Sequence, residues 1–317
     1  AIELKNIETY LKNYGKLYHS GDLQLNVKNS PISLDEFYAK ARNSFVHFTI
    51  SVNGKTVEGF AVGQGNPLLM VSPIGLTAPI WKHQFLNLYK NNLVVVIHQP
   101  GYGLSEKVKK SNNKEVSDSI IATLNKLKIN KDVTILGSCF GSIVAAHLAK
   151  NYPEVISRVC FIGGFYDGSD LPAIDMENMK LDDLKKMTSE ISGSIGKDFD
   201  VIIENLKDLS TEKIEEFKNC KELLLNSQCA NSLICLRYLN EMKNLSAVNW
   251  LSELNQPVLC VYGDLDTVIP TIRSHEISKM AKNSSIVEIK GAGHYPYLTH
   301  SKEFNKILNK FIKNQEK

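Results

Sequence analysis

The sequence has little net charge and lacks any segment apolar enough to span a membrane. Lysine and arginine exceed aspartate and glutamate by only three charges over 317 residues, so no strong attraction to nucleic acid or to a membrane surface is expected. No apolar run approaches the roughly 20 residues needed to cross a bilayer. With 43% hydrophobic and 22% charged residues, the composition is typical of a globular protein.

Closely spaced cysteine pairs are also missing. The six cysteines form no C-x-x-C motif, so neither a zinc site nor a redox motif is predicted, and no metal or cofactor is expected. Cys160 and Cys260 lie inside apolar runs, where they are expected to be buried thiols. Reduced cysteines favour a cytoplasmic location.

Short apolar runs rich in β-branched residues alternate with helical patterns along much of the chain. Two such runs flank Asn53-Gly54, which predicts a hairpin. Continuous runs of this kind are typical of parallel strands covered on both faces, and their alternation with helices predicts an α/β fold with a mostly parallel central sheet. The remaining predicted strands are at 67–71, 93–97, 133–136, 159–162, 258–262 and 286–289.

The alternation stops between about 166 and 252, where every pattern is helical. We predict that this stretch is an inserted helical cap, and that 45–165 and 253–317 together form the core. Residues 1–44 are a polar N-terminal extension with tyrosines at every fourth position from Tyr10 to Tyr18, as on one helix face. The extension either packs on the core or acts as a lid or docking segment. Within the cap, the predicted helices are at 181–191, 199–209, 211–225 and 231–242.

A glycine-flanked cysteine follows an apolar strand pattern and precedes a helical one. Cys139 is the central residue of a G-x-C-x-G motif at 137–141. Small residues on both sides let strand and helix approach closely around a sharp turn, and the helix N-terminus favours a thiolate. Cys139 is therefore the predicted nucleophile, with the amide of Phe140 as one oxyanion donor. A buried thiol beside a structural glycine turn is the alternative.

Two later loops supply carboxylates and a histidine. Asp264 and Asp266 follow the strand pattern 258–262, and His294 lies in a glycine-rich loop after 286–289. A carboxylate that accepts from Nδ1 fixes the tautomer of a histidine and stabilises its charged form. Because turn chemistry alone explains Asp264, Asp266 is the predicted acid and His294 the predicted base.

These motifs resemble the α/β-hydrolase superfamily over about residues 45–315. The order nucleophile, acid, base is the order on that fold, and residues 98–105 resemble the family's D-x-x-G-x-G-x-S loop. The segment around Pro73 stands where the family has its oxyanion loop. Since Pro73 has no N–H, the resemblance implies Ile74, or failing that Gly75, as the second oxyanion donor.

The main departure from the family is that Cys139 replaces the usual serine. A thiolate exchanges one thioester for another at nearly balanced energy. The resemblance, which extends to polyketide and nonribosomal-peptide thioesterases, therefore implies a thioesterase-like enzyme. Such an enzyme would hydrolyse, transfer or cyclise a carrier- or CoA-bound acyl chain. The expected partners are an acyl thioester and, as a candidate, an acyl carrier protein.

Other interpretations stay open at this point. The protein is alternatively a hydrolase of a small ester or of a carbon–carbon bond, or a non-catalytic ligand-binding protein on the same fold. A serine replaced by cysteine, through engineering or drift, would show the same pattern. The cap is expected to form the acyl pocket, although helical stripes do not separate pocket from core. The predicted substrate-binding residues are Gly75, Trp81, Tyr166, Met187 and Leu223.

Overall fold

A nine-stranded sheet forms the centre of the protein in the computed structural model, which describes residues 1–26, 33–108, 112–205 and 208–315. The strand order is β1-β2-β3-β5-β4-β6-β7-β8-β9. The first three pairings in this order are antiparallel and the other five are parallel. The strands are β1 (Ile2–Glu3), β2 (Ser44–Val52), β3 (Lys55–Gly63), β4 (Asn66–Val71), β5 (Asn92–Ile97), β6 (Val133–Ser138), β7 (Ile156–Ile162), β8 (Val258–Gly263) and β9 (Ser284–Ile289).

Helices cover both faces of the sheet and bury two separate hydrophobic clusters. Short 3₁₀ turns lie at Leu4–Asn6, Ala78–Trp81 and Gly168–Asp170. In the part of the chain that is described, no helix is long and apolar enough to cross a membrane. The helices are α1 (Ile7–Ser20), α2 (Leu23–Asn26), α3 (Leu34–Asn43), α4 (Lys82–Leu88), α5 (Asn113–Lys126), α6 (Gly141–Asn151), α7 (Leu181–Asn205), α8 (Thr211–Asn226), α9 (Ser232–Lys243), α10 (Val248–Ser252), α11 (Ile272–Met280), α12 (Pro296–Thr299) and α13 (Ser301–Asn314).

The hairpin between β2 and β3 turns as its sequence predicts. Asn53 and Gly54 have φ angles of +50° and +76°, the left-handed region that a two-residue type I′ turn requires at both positions. Val52 pairs with Lys55 across the turn. The short strand β1 has no counterpart in the predictions, because two residues are too few to show a pattern.

The N-terminal tyrosine repeat belongs to a helix, as predicted. Tyr10, Tyr14 and Tyr18 lie on α1, and Tyr14 is almost fully buried. The rings of Tyr10 and Tyr14 make edge contacts with Phe45 of β2 and Phe60 of β3. Helix α1 thus packs on the antiparallel side of the sheet.

Helices α7 to α10 lie between β7 and β8. We call residues 166–252 the helical insertion. The prediction of separate helices at 181–191 and 199–209 is wrong, because α7 runs unbroken from Leu181 to Asn205; residues 206–207 lie outside the described residues. Gly193 and Gly196 weaken a helix by about 1 kcal/mol each, but tertiary packing overrides this local preference. Along this helix Lys221 of α8 bonds Asp200 of α7 at 2.9 Å.

Candidate active site

The turn between β6 and α6 has the geometry of a nucleophile elbow. Cys139 has a φ of +53°, a region that non-glycine residues rarely occupy and that marks strained functional turns. A Cβ on Gly137 would lie 2.3 Å from the carbonyl oxygen of Gly141, and one on Gly141 would lie 2.2 Å from that of Val71. Both flanking positions therefore require glycine, and the turn places Cys139 beside the N-terminus of α6.

The neighbouring serine points in the opposite direction. Ser138 is fully buried, and its Oγ lies 3.0 Å from the hydroxyl of Tyr297. Cys139 is 4% exposed and donates its amide hydrogen to the carbonyl of Ile162, at the end of β7. Within this motif, the sulfur is thus the group that the turn presents at the sheet edge.

The acid and base loops meet after β8 and β9. Nδ1 of His294 lies 2.6 Å from Oδ2 of Asp266. The other oxygen of Asp266 accepts the amides of Val268 at 2.8 Å and Ile269 at 3.0 Å. These two bonds fix the orientation of the carboxylate independently of the imidazole. Asp264 instead accepts the amide of Gly291 at 2.7 Å, which is a turn contact.

His294 is held ready to carry a proton. Burial alone would lower the pKa of His294, but the carboxylate of Asp266 and the sulfur of Cys139 outweigh burial and raise it well above its ordinary value. Its Nε2 is buried and has no hydrogen-bond partner among the described residues. The structure thus brings Cys139, His294 and Asp266 together, with one imidazole nitrogen committed to the acid and the other open.

The backbone amides predicted as oxyanion donors differ in whether they are already hydrogen-bonded. The amides of Phe140 and Ile74 have no acceptor within the described ranges. The amide of Gly75 is already used, because it donates to the hydroxyl of Tyr102 at 2.8 Å. Of the two positions weighed for the second donor, Ile74 is therefore the one with a free N–H.

A cavity of about 170 Å³ adjoins the loop that carries Ile74. Ligand pockets typically measure roughly 300–1,000 Å³, so this cavity suits only a short group unless the walls move. Apolar and hydroxyl side chains from α7 and α9 alternate around it. The lining residues are Ile74, Gly75, Thr188, Ile191, Ser192, Ile195, Gln228, Ala230, Ser232, Cys235, Leu236 and Leu239.

Comparison with known proteins decides the family. A sequence profile described as the alpha/beta hydrolase fold matches residues 66–301. The chain belongs to this family. The predicted fold class, an α/β-hydrolase fold with a mostly parallel sheet flanked by helices, is therefore confirmed.

Curated relatives of this hydrolase act on esters. It is 26% identical over 263 residues to a pimeloyl-[acyl-carrier protein] methyl ester esterase of Wigglesworthia glossinidia brevipalpis, covering 80% of this chain and 96% of that one. A protein of the same name from Photobacterium profundum is 24% identical over 255 residues, with 79% and 96% covered. These relatives indicate a hydrolase.

Solved structures show the same fold. The enol-lactonase from Burkholderia xenovorans LB400 superposes with a TM-score of 0.68 at 15% identity, covering 84% of this chain and 99% of that one. The esterase RhEst1 from Rhodococcus sp. ECU1013 gives 0.68 at 16% identity, with 85% and 98% covered. At these identities the likeness concerns the fold.

Most of the predicted substrate-binding residues lie away from the hydrolase's cavity. Gly75 lines it, but Trp81 is fully buried, stacks on Tyr297 at 4.0 Å and donates its indole N–H to Ser72 at 2.9 Å. The hydroxyl of Tyr166 bonds Glu276. Trp81 therefore packs in the core, and Tyr166 makes a polar contact outside the cavity.

Met187 and Leu223 also miss the cavity. Met187 is partly buried against one hydrophobic cluster, and Leu223 of α8 is buried in the other. The cavity wall begins with Thr188, one residue after Met187. Met187 of α7 therefore lies beside the cavity without lining it, since sequence periodicity does not fix which neighbour a helix face contacts. The assignment of Met187 and Leu223 to substrate binding stays a prediction.

A cleft larger than this cavity is separate from Cys139, Asp266 and His294. It measures about 1120 Å³ and lies between α4, α8 and α13, with five lysines among its lining residues. None of Cys139, Asp266 and His294 lines it. Cleft volume alone would therefore not indicate the region around Cys139, Asp266 and His294.

A buried carboxylate missed by the predictions lies behind the triad. Asp198 of α7 is fully buried and accepts the amide of His294 at 2.7 Å and that of Thr267 at 3.0 Å. The sequence contained one signal. Ile191, Ile195 and Ile202 share a helix face with position 198, so a charge there interrupts an apolar stripe.

A second carboxylate missed by the predictions lies behind the segment that carries Ile74 and Ala78, which we call the oxyanion side. Glu58 of β3 is fully buried and lies 2.6 Å from both His47 Nε2 and His98 Nδ1. It also accepts the hydroxyl of Tyr14 at 2.7 Å. Nε2 of His98 accepts the amide of Ala78 at 3.0 Å, so the proton shared with Glu58 is on Nδ1.

Proposed function

We propose that the hydrolase cleaves or transfers the acyl group of a carrier- or CoA-bound thioester through an acyl-cysteine at Cys139. The observation that carries the proposal is a thiol, rather than a hydroxyl, on a strained elbow beside a buried imidazole–carboxylate pair. A thiol nucleophile suits thioesters, because the acyl-enzyme is itself a thioester and the exchange is nearly balanced in energy.

The proposed reaction has two steps, acylation of Cys139 and release of the acyl group. His294 takes the thiol proton at Nε2 while the sulfur of Cys139 bonds to the acyl carbon, and the amides of Phe140 and Ile74 hold the oxyanion. The bond to the leaving thiol then breaks, and the leaving sulfur receives the proton from His294. Water, or another acceptor, next gives a proton to His294 and attacks the acyl-cysteine, which releases the acyl group and restores the thiol.

Asp266 orients the imidazole through this cycle. Its carboxylate holds Nδ1 at 2.6 Å and stabilises the charged imidazolium that forms in each step. The raised pKa of His294, for which Asp266 and Cys139 are responsible, favours that charged form. The proton taken from Cys139 is therefore held on the imidazole until the leaving sulfur receives it.

An acyl carrier protein is the proposed bearer of the acyl chain. The relatives named above act on an acyl group bound to such a carrier. The cavity of about 170 Å³ beside the oxyanion loop is the proposed site for the part of the acyl chain nearest the carbonyl. Its hydroxyl and amide side chains, such as those of Ser192 and Gln228, suit a chain that carries a polar group.

Hydrolysis of an oxoester is the second candidate. The relatives are methyl ester esterases, and the same residues would perform that reaction with an alcohol as leaving group. The two candidates differ in the leaving atom and not in the nucleophile.

Intact-mass trapping tests both candidates. The protein is incubated with acyl-pantetheine and acyl-CoA thioesters and with methyl esters of the same acyl chains, and both product release and acyl adducts are measured. We expect an adduct on the wild type, faster turnover of thioesters than of oxoesters, and loss of both signals in Cys139→Ala. Faster turnover of oxoesters would replace the first candidate with the second.

Cys235→Ser is the matched control. Cys235 lines the cavity, and burial raises its pKa to about 12, so it is expected to remain a thiol and take no acyl group. An adduct that survives in Cys139→Ala and disappears in Cys235→Ser would refute the assignment of Cys139. Absence of any adduct or turnover across the panel would favour a ligand-binding protein instead.

A further inference from the structure

One carboxylate of the helical insertion touches both the acid loop and the base loop. Oδ1 of Asp198 accepts the amide of Thr267 at 3.0 Å and its hydroxyl at 3.2 Å. Oδ2 accepts the amide of His294 at 2.7 Å. Thr267 follows the acid Asp266 directly. Asp198 therefore spans the two loops whose separation sets the 2.6 Å contact between Asp266 and His294.

The surrounding residues are shaped to admit this carboxylate. A Cβ on Gly293 would lie 2.3 Å from Oδ2 of Asp198, so only glycine at that position lets the carboxylate reach the amide of His294. The next residue of α7, Phe199, stacks on Tyr295 with ring centroids 6.0 Å apart. Two successive residues of α7 thus contact the base loop, one at the amide of His294 and the other at the ring of Tyr295.

The same helix walls the cavity. Thr188, Ile191, Ser192 and Ile195 of α7 line it, and Asp198 follows Ile195 by one helical turn. The helix that contacts a bound acyl group is consequently the helix that holds the catalytic histidine.

The bonding pattern at position 198 suits a carboxylate. Both oxygens of Asp198 accept hydrogen bonds, as a carboxylate does. Burial and the nearby charge of Asp266 raise its pKa, while His294 opposes the rise. The titratable groups that face the imidazole are Asp266, Asp198, Cys139 and Tyr295.

We infer that Asp198 is a positioning residue of the triad, which fixes His294 against Asp266 and ties both to the helix that forms the cavity wall. The inference rests on the triad of the proposed function and adds a fourth residue to it. Asp198 acts through the backbone of His294 and the acid loop, without touching the substrate.

Asp198→Asn is the central variant, because it keeps the shape and removes the charge and one acceptor. We expect kcat to fall about 10- to 100-fold, as small displacements of catalytic groups do, while KM changes less than about 3-fold. Asp200→Asn is the matched control. Asp200 is an exposed residue of the same helix, paired with Lys221, and kcat is expected to stay at the wild-type value.

A measurement on His294 itself separates positioning from general stability. With ¹⁵N-labelled histidine, NMR follows the low-field Nδ1 proton and the titration of His294, assigned by comparison with His294→Gln. We expect Asp198→Asn to weaken the Nδ1 signal and to move the titration midpoint down by roughly half a unit or more, since a nearby negative charge is lost. A purely structural residue would lower the unfolding temperature and leave both signals unchanged.

The outcomes distinguish the inference from the proposed function. Unchanged kcat and unchanged His294 signals in a folded Asp198→Asn protein would overturn the inference, whatever the wild type hydrolyses. If the wild type turns over no ester or thioester but the His294 signals change in the variant, the proposed function fails and the positioning role stands. If Asp198→Asn does not fold, Thr267→Val removes one donor to Asp198 and is expected to change kcat and the Nδ1 signal in the same direction, by about 2- to 5-fold in kcat.

Discussion

The two sides of the active site each rest on a buried carboxylate, but the two carboxylates differ in their partners. Glu58, behind the oxyanion side, is surrounded by two imidazoles and a phenol, whereas Asp198, behind the base, is held mainly by backbone amides. Both are fully buried.

Their pKa values move in opposite directions. Burial raises the pKa of each carboxyl, but His98 and His47 outweigh burial at Glu58 and lower its pKa, whereas at Asp198 burial prevails and the pKa is raised. A carboxylate whose pKa is lowered on folding stabilises the fold when it ionises, and one whose pKa is raised does the reverse. Glu58 is thus a structural residue, while Asp198 opposes stability at a functional place, as active-site groups do.

The largest effect is expected on removing the stabilising carboxylate. Glu58→Ala leaves buried donors on His98, His47 and Tyr14 without an acceptor, and we expect the free energy of unfolding to fall by about 3–5 kcal/mol in urea denaturation. Glu106→Ala is the control. Glu106 is exposed, accepts the amide of Thr56 and lies 3.9 Å from the ammonium of Lys55, and this variant is expected to stay close to wild type. Equal stabilities for Glu58→Ala and Glu106→Ala would show that Glu58 does not stabilise the fold.

The pH dependence of stability sharpens the comparison. Because the folded-state pKa of Glu58 is depressed, its contribution is complete above the ordinary value of 4.5 and is lost as the pH falls through the folded-state value. The stability advantage of the wild type over Glu58→Gln should therefore shrink on acidification.

The opposite slope is expected at the other carboxylate. The folded-state pKa of Asp198 is raised above 3.8, so the wild type should lose stability relative to Asp198→Asn as the pH rises from that value through the folded-state pKa. Urea denaturation of the wild type and both variants at a series of pH values measures the two slopes. Slopes of the same sign would contradict the contrast.

The smallest effect concerns the oxyanion loop. Tyr102→Phe removes the acceptor of the Gly75 amide, one hydrogen bond worth about 0.5–1.5 kcal/mol. We expect kcat to fall about 2- to 10-fold, because the loop that carries Ile74 becomes less fixed. Tyr38→Phe, whose hydroxyl bonds Leu127 away from the site, is the control. A larger loss there than in Tyr102→Phe would show that the effect is not local to the loop.

The sheet, and the meeting of Cys139, Asp266 and His294 at its edge, could be predicted from the sequence, because each of these residues lies within five positions after a strand with a strong apolar pattern. Parallel strands deliver the residues after their carboxyl ends to one edge, so local motifs such as the glycines around Cys139 were sufficient. The free amide of Ile74 followed from the missing N–H of Pro73.

Residues whose partners are distant in the sequence could not be predicted from local motifs. Asp198 is 69 positions from Thr267 and 96 from His294, and neither spacing forms a motif. For the same reason the sequence did not show that Thr188, rather than Met187, lines the cavity, because this depends on tertiary packing. Glu58 lies within a predicted strand, and its partners His47, His98 and Tyr14 are on other elements, so no local motif marks it.

The position of the helical insertion in the chain determines when the site can be completed. Ribosomes deliver Asp198 before either loop that it holds, and His294 emerges after the last strand, β9, which forms the outer edge of the sheet. The sulfur of Cys139 is made long before its base. A nascent chain that has not yet reached the loop after β9 therefore carries Cys139 without its base, so the triad cannot form until the last part of the fold, from β8 onwards, has been synthesised.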